Sequence, residues 1–156
     1  MIQQRNWRIL AAGLLAAAMS VSLLWQKSWA QSAPPEATPK PYLVEWVYRV
    51  KWGNNDEWWK IFQKYQVATL DRETEEGSVL WYQVFRPGLH TSEDQRWDYR
   101  VIIAYKDISS PSKASAIEHK LFPDRDLFRK EENRRWELTA VHWDLPIHEI
   151  DPHATE

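Results

Sequence analysis

Three groups of side chains in this chain have the type and spacing for chemistry. His90 stands in a polar stretch with Glu93 and Asp94, so His90 is a candidate general base or hydrogen-bond donor, with Asp94 as the carboxylate that orients it. A loop histidine bonded only to backbone or water is the plainer use of the same residue. His142 and Asp144 are two apart in an extended stretch, which puts both on one side of a strand, where they can reach a ligand. With His90 they would complete the two-histidine, one-carboxylate set that holds non-haem iron, provided two distant segments converge; a salt-bridged strand end is the commoner arrangement. Arg49, Arg86 and Arg100 can grip an anionic ligand with paired N–H groups, and Trp97 and Tyr99 can stack on an aromatic one. The alternative is an ion-pair lattice of Arg49, Arg100, Glu45 and Asp98 on a sheet face, with the rings in a core.

Other chemistries have no support. No glycine-rich phosphate loop, Gly-x-Ser-x-Gly elbow or His-Glu-x-x-His helix occurs. The absence of cysteine excludes disulfides, thiolate metal ligands and a cysteine nucleophile. Neither a metal nor a cofactor is therefore the leading expectation.

The elements that must position these groups follow from periodicity. From Tyr42 to Trp52 the even-numbered residues Tyr42, Val44, Trp46, Tyr48, Val50 and Trp52 make one apolar row, the pattern of a strand. Gly53 ends it. Asn54 and Glu57 predict a capping pair for a helix running to Glu76, with Gly77 as its stop. A second strand is expected over 78–86, a turn at Pro87-Gly88, a polar loop with His90, and a third strand over 96–106 that carries Trp97, Tyr99, Val101, Ile103 and Tyr105 on one face. Ser110-Pro111 opens another helix, Pro123 interrupts it, and a second piece over 124–135 carries the charge run Arg129 to Arg135, expected as an exposed face. The last strand is expected over 136–143. The order is strand, helix, strand, strand, helix, strand, which predicts a ferredoxin-like α+β domain: a four-stranded antiparallel sheet with its helices on one face.

The chain of 156 residues opens with a basic start, an apolar run from Ile9 to Trp25, and Ser28-Trp29-Ala30. This is the pattern of a secretory signal peptide, residues 1–30, cleaved after Ala30; an uncleaved anchor is the alternative. Residues 31–41, with Pro34, Pro35, Pro39 and Pro41, read as an extended tether, 42–150 as one domain and 151–156 as a polar tail. Export without cysteine suits a bacterial periplasm or exterior. Without Arg5, Arg8 and Lys27 of the leader, 17 basic residues face 22 acidic ones. No basic stripe dominates, so nucleic acid is not an expected partner, nor is a membrane once the leader is gone.

On this element order and the aromatic first strand, the chain from Tyr42 to Trp143 resembles the dimeric α+β barrel superfamily. That resemblance implies a homodimer paired through the open sheet face. It admits cofactor-independent oxygenases, isomerases, haem-dependent enzymes and proteins of no assigned activity. The segments Arg86 to Thr91, Arg96 to Arg100, Glu131 to Glu137 and His142 to Pro146 also resemble those of uncharacterised exported bacterial proteins. The leading expectation is an exported protein that binds a small aromatic or hydrophobic anion between sheet and helices, with oxygenase or isomerase chemistry through His90. The alternatives are a noncatalytic cell-envelope interaction module, and a haem or iron protein with His90 or His142 as axial ligand.

Overall fold

A computed structural model describes residues 40–154. The expected leader and most of the tether lie outside the described residues. Strand β1 (Tyr42–Val50) is followed by helix α1 (Asn55–Phe62), a π-helical turn (Gln63–Val67) and helix α2 (Ala68–Glu75). Strand β2 (Val79–Phe85) and β3 (Tyr99–Tyr105) come next, then α3 (Ala114–Leu121), α4 (Arg125–Leu138) and β4 (Thr139–Ile147). The four strands are ordered β2-β3-β1-β4, every neighbouring pair antiparallel. This is the expected ferredoxin-like α+β arrangement.

The register settles which residues share a face. Tyr48 pairs with Tyr99, Trp46 with Val101 and Tyr42 with Tyr105, so the aromatic rows of β1 and β3 lie on the same side, under the helices. Trp58 of α1 is fully buried at the centre of that side. It stacks on Tyr99 at 4.7 Å and on Phe62 at 4.9 Å, and its indole N–H donates to Thr139 Oγ1 at 2.9 Å. A buried tryptophan with its polar edge satisfied contributes on the order of 3–5 kcal/mol relative to alanine. The buried stripe of α1, Trp58 and Phe62, continues through Tyr65 of the π turn into Thr69, Leu70 and Glu73 of α2.

The first helical segment stops as the sequence predicts. Gly77 takes φ +75°, its N–H donates to Thr74 and that of Ser78 to the Glu73 carbonyl, so both orphan carbonyls are satisfied. Its start differs. Asn54 makes no cap; its side-chain amide donates to the Trp52 carbonyl at 2.9 Å, while Glu57 is drawn off to Arg134. At the second break, Asp124 caps α4 by accepting the Leu127 N–H.

Two strand boundaries move. The last strand runs from Thr139, because Trp136 to Leu138 complete α4, where Arg135 and Leu138 are buried at helical spacing. It then continues through Pro146, which an edge strand tolerates because one of its sides needs no backbone donor. Strand β3 begins at Tyr99 rather than Arg96, because side chains take over the last rung of the ladder: Asp98 Oδ2 accepts the Val50 N–H at 2.7 Å and Arg96 donates to the Val50 carbonyl at 2.9 Å. The charge run is not wholly exposed either. Arg135 is 3% exposed, held by two bonds to Glu132 and lying 4.8 Å from the Trp136 ring.

Candidate functional site

The loop between β2 and β3 folds back over the end of β1 and encloses a pocket of about 420 Å³. Arg86, His90, Arg96, Trp52, Trp97 and Asp98 are among its walls. The corner is rigid for a reason local to the sequence. Arg96, only 9% exposed in its side chain, makes two bonds to the Asp98 carboxylate at 2.8 and 2.9 Å and one to Glu93 at 3.0 Å, with the Trp52 ring 4.1 Å from its guanidinium. Its charge is used up internally. Arg86 has neither a carboxylate nor a carbonyl partner among the described residues, and its guanidinium lies 5.3 Å from the Tyr99 ring.

Of the residues expected to form a site, this corner gathers Arg86, His90 and Trp97. The others are placed elsewhere. Asp94 does not orient His90: its carboxyl takes a hydrogen bond from Ser92, which holds it below the ordinary carboxylate range, and it borders a small cleft with Arg49 and Trp143 on the open side of the sheet. No hydrogen bond joins His90 and Asp94 among the described residues, and the two border different cavities, so the base–orienter pair is not formed. Arg49 donates to the Glu93 carbonyl at 2.8 Å. Arg100 lies on the open face with its Nε 3.1 Å from Glu45 and its guanidinium 4.7 Å from the Trp97 ring, the ion-pair alternative rather than a ligand clamp. Tyr99 is 1% exposed beneath Trp58 and Trp59 and cannot meet a ligand.

His142 and Asp144 do face the same side, and they meet each other. The Nε2 of His142 is 2.9 Å from Asp144 Oδ1, its Nδ1 is 3.0 Å from the Val47 carbonyl, and the ring lies on Tyr48. Both ring nitrogens are engaged, and His90 shares no cavity with them among the described residues. No group of three or more His, Cys, Asp or Glu in metal-holding geometry occurs among the described residues. The three-residue iron set is therefore not assembled.

A second cavity, about 330 Å³, lies between the helix-covered side of the sheet and the helices. The expected arginines are not in its wall. Instead Trp46, Tyr105 and Leu70 provide apolar surface, and Glu73, Glu118 and Asp144 provide carboxyls. Glu73 is 1% exposed, and burial, with Glu118 and Glu76 nearby, pushes its carboxyl up to about 7. Burial likewise raises Glu118, with Glu132 adding to the effect. Sequence reasoning missed Glu73. The available signal was a carboxylate standing where the buried stripe of the first helix continues.

The sheet face away from the helices is open. Trp81, Phe85, Trp143 and Leu145 there are each about 40% exposed or more (43%, 40%, 39% and 46%) around the Glu45–Arg100 pair.

No protein-family model matches the chain, and no curated protein matches it. Among solved structures it is similar to a dimeric ferredoxin-like protein from an uncultured marine organism, at 7% identity over 76% of this chain and 97% of that one, TM-score 0.52. It is also matched to SnoaB, a cofactor-independent oxygenase from Streptomyces nogalater, at 15% identity over 73% of this chain and 98% of that one, TM-score 0.41. An uncharacterized NIPSNAP domain protein from Burkholderia xenovorans is matched at 17% identity over 73% and 99%, TM-score 0.45. At such identities the likeness is one of fold, and that fold is ferredoxin-like.

Proposed function

We propose that this protein is exported, pairs with a second copy of itself through the open sheet face, and binds a small aromatic anion in the corner pocket. The observation that carries the ligand assignment is Arg86. It is the pocket arginine whose charge no described residue compensates, and it stands beside His90 and the indole of Trp97. A carboxylate or similar anion supplies the missing partner, and the rings supply stacking surface. Because Asp94 leaves His90 without an orienting carboxylate, the proposal is one of binding; oxygenase or isomerase chemistry through that pair has no geometric support here.

Pairing through the sheet is supported by the exposed Trp81, Phe85, Trp143 and Leu145, a patch that a lone soluble domain rarely leaves in water, and by the dimeric state of the ferredoxin-like protein of similar fold. Export is supported by the basic, apolar and small-residue order of residues 1–30. Cell fractionation with mass spectrometry of the mature N-terminus tests it, Gln31 being the expected first residue and a retained Met1 the contrary result.

Titration calorimetry with indole-3-acetate against neutral indole-3-acetamide tests the ligand assignment. The acid should bind more tightly, and Arg86→Ala should weaken it roughly ten- to a hundredfold, as for loss of a charged hydrogen bond. Equal binding of acid and amide, or an Arg86→Ala variant that binds as the wild type does, sinks the assignment.

A further inference from the structure

Glu73 and Thr69 stand one helical turn apart on α2, 1% and 4% exposed. Glu73 Oε1 and Thr69 Oγ1 are both buried without a hydrogen-bond partner among the described residues. Leaving a buried acceptor unmatched costs on the order of 1–3 kcal/mol, so two on one wall call for a donor that the chain itself does not supply. Both residues border the cavity between sheet and helices.

The rest of that wall says what kind of donor fits. No lysine, arginine or histidine lines the cavity among the described residues, whereas Glu118 and Asp144 add further carboxyls. Trp46, Tyr42 and Tyr105 place aromatic rings around the same space, and ring faces attract cations. A volume of about 330 Å³ lies within the range of small-molecule sites. An anion would meet carboxyl groups on three sides and no cationic partner among the described residues.

We propose that this cavity is a second binding site, separate from the corner pocket, and that it takes an organic ammonium: an amine with a flat apolar body, whose N–H groups donate to Glu73 Oε1 and Thr69 Oγ1. Neutral alcohols lack the charge to meet Glu73, and inorganic cations lack the apolar body that Leu70, Trp46 and Tyr105 would cover.

The test is calorimetry and NMR on protein purified from cells expressing the full chain, with 2-phenylethylamine and tryptamine as probes and 3-phenylpropionate as the charge-reversed control. Saturable binding of at least one amine, with contacts from its ring protons to the Leu70 methyl groups, is expected. Glu73→Gln should weaken it roughly tenfold or more, and Thr69→Val by a smaller factor. Folding of each variant is checked by its unfolding curve, and Glu73→Gln keeps the shape of the buried side chain. Failure of both amines to bind at millimolar concentration overturns the proposal. So does equal binding of the carboxylate, ring contacts that map to the corner pocket, or a folded Glu73→Gln variant with unchanged affinity.

Discussion

The imidazole of His142 lies flat on the phenol ring of Tyr48, centroids 4.1 Å apart and planes 9° from parallel, although the two residues belong to different strands. The register of β1 against β4 puts them opposite each other, and the Val47 carbonyl and Asp144 carboxylate hold the ring edge-on. His142 thereby packs on Tyr48, with Nδ1 on the Val47 carbonyl and Nε2 beside Asp144. His142→Ala should cost about 2 kcal/mol, the stacked pair plus a lost hydrogen bond, and lower Tm by roughly 8 °C. His142→Phe, which restores the stack but not the bonds, should recover about half of that in the same thermal melts. Added hemin should give the same absorption spectrum with wild type and His142→Ala; a Soret shift present only in the wild type would restore the iron reading.

The corner that shapes the pocket depends on Asp98, which accepts from the Val50 backbone and twice from Arg96 while its side chain is 16% exposed. Asp98→Ala removes the main partner of a mostly buried arginine and leaves Arg96 only the exposed Glu93 carboxylate, at a cost of about 3 kcal/mol in urea unfolding. Arg96→Met removes the other partner. The double variant should lose about 1–2 kcal/mol less than the two single losses combined, because either change breaks the same contacts. Strict additivity would mean that the lock is not a unit.

What could be read from the chain beforehand follows the same division between backbone pattern and side-chain pairing. Tyr42 to Val50 and Tyr99 to Tyr105 each carry an unbroken apolar row at every second residue, so the strands and the ferredoxin-like order were legible. Trp136 to Leu138 were misread because alternating bulky residues satisfy a strand period and a helix end equally over so short a span. The site was less legible. Arg96, Arg86 and Arg100 are chemically alike in sequence, and only the fold assigns the first to Asp98, the second to open pocket and the third to Glu45. Proximity in sequence also misled, since Asp94 lies four positions from His90 yet borders a different cleft.

Glu73 makes stability depend on pH in a defined direction. In the unfolded chain its carboxyl ionises near 4.5, and in the folded protein at about 7. Below both values each state holds the proton and nothing is lost. As pH rises from 4.5 through 7 the unfolded chain gives up its proton first, so the folded protein loses stability across that window and levels off above it. The loss from this residue is on the order of 3 kcal/mol. Glu73→Gln cannot ionise, so it should gain on the wild type by that amount between pH 4 and pH 8 in paired denaturant titrations. Glu118, whose carboxyl burial also raises, is present in both proteins and largely cancels in the comparison. Parallel pH profiles would show that Glu73 is charged in the folded state.

The open sheet face gives the sharpest test of assembly. Trp143 and Leu145 on β4 and Trp81 and Phe85 on β2 border the face on its two edge strands, with Glu45 and Arg100 between them on the central pair. A second copy related by a two-fold axis would lay each edge against its counterpart and cover all four apolar side chains at once. Trp143→Glu puts a charge into that layer without disturbing the helix-side core, which lies on the other face of the sheet. Sedimentation equilibrium should therefore give a dimer for the wild type and a monomer for Trp143→Glu, with Tm falling and becoming insensitive to protein concentration. A monomeric wild type at tens of micromolar would remove the dimer from the proposal and leave the face for a different protein partner. A dimer that survives Trp143→Glu would place the interface elsewhere.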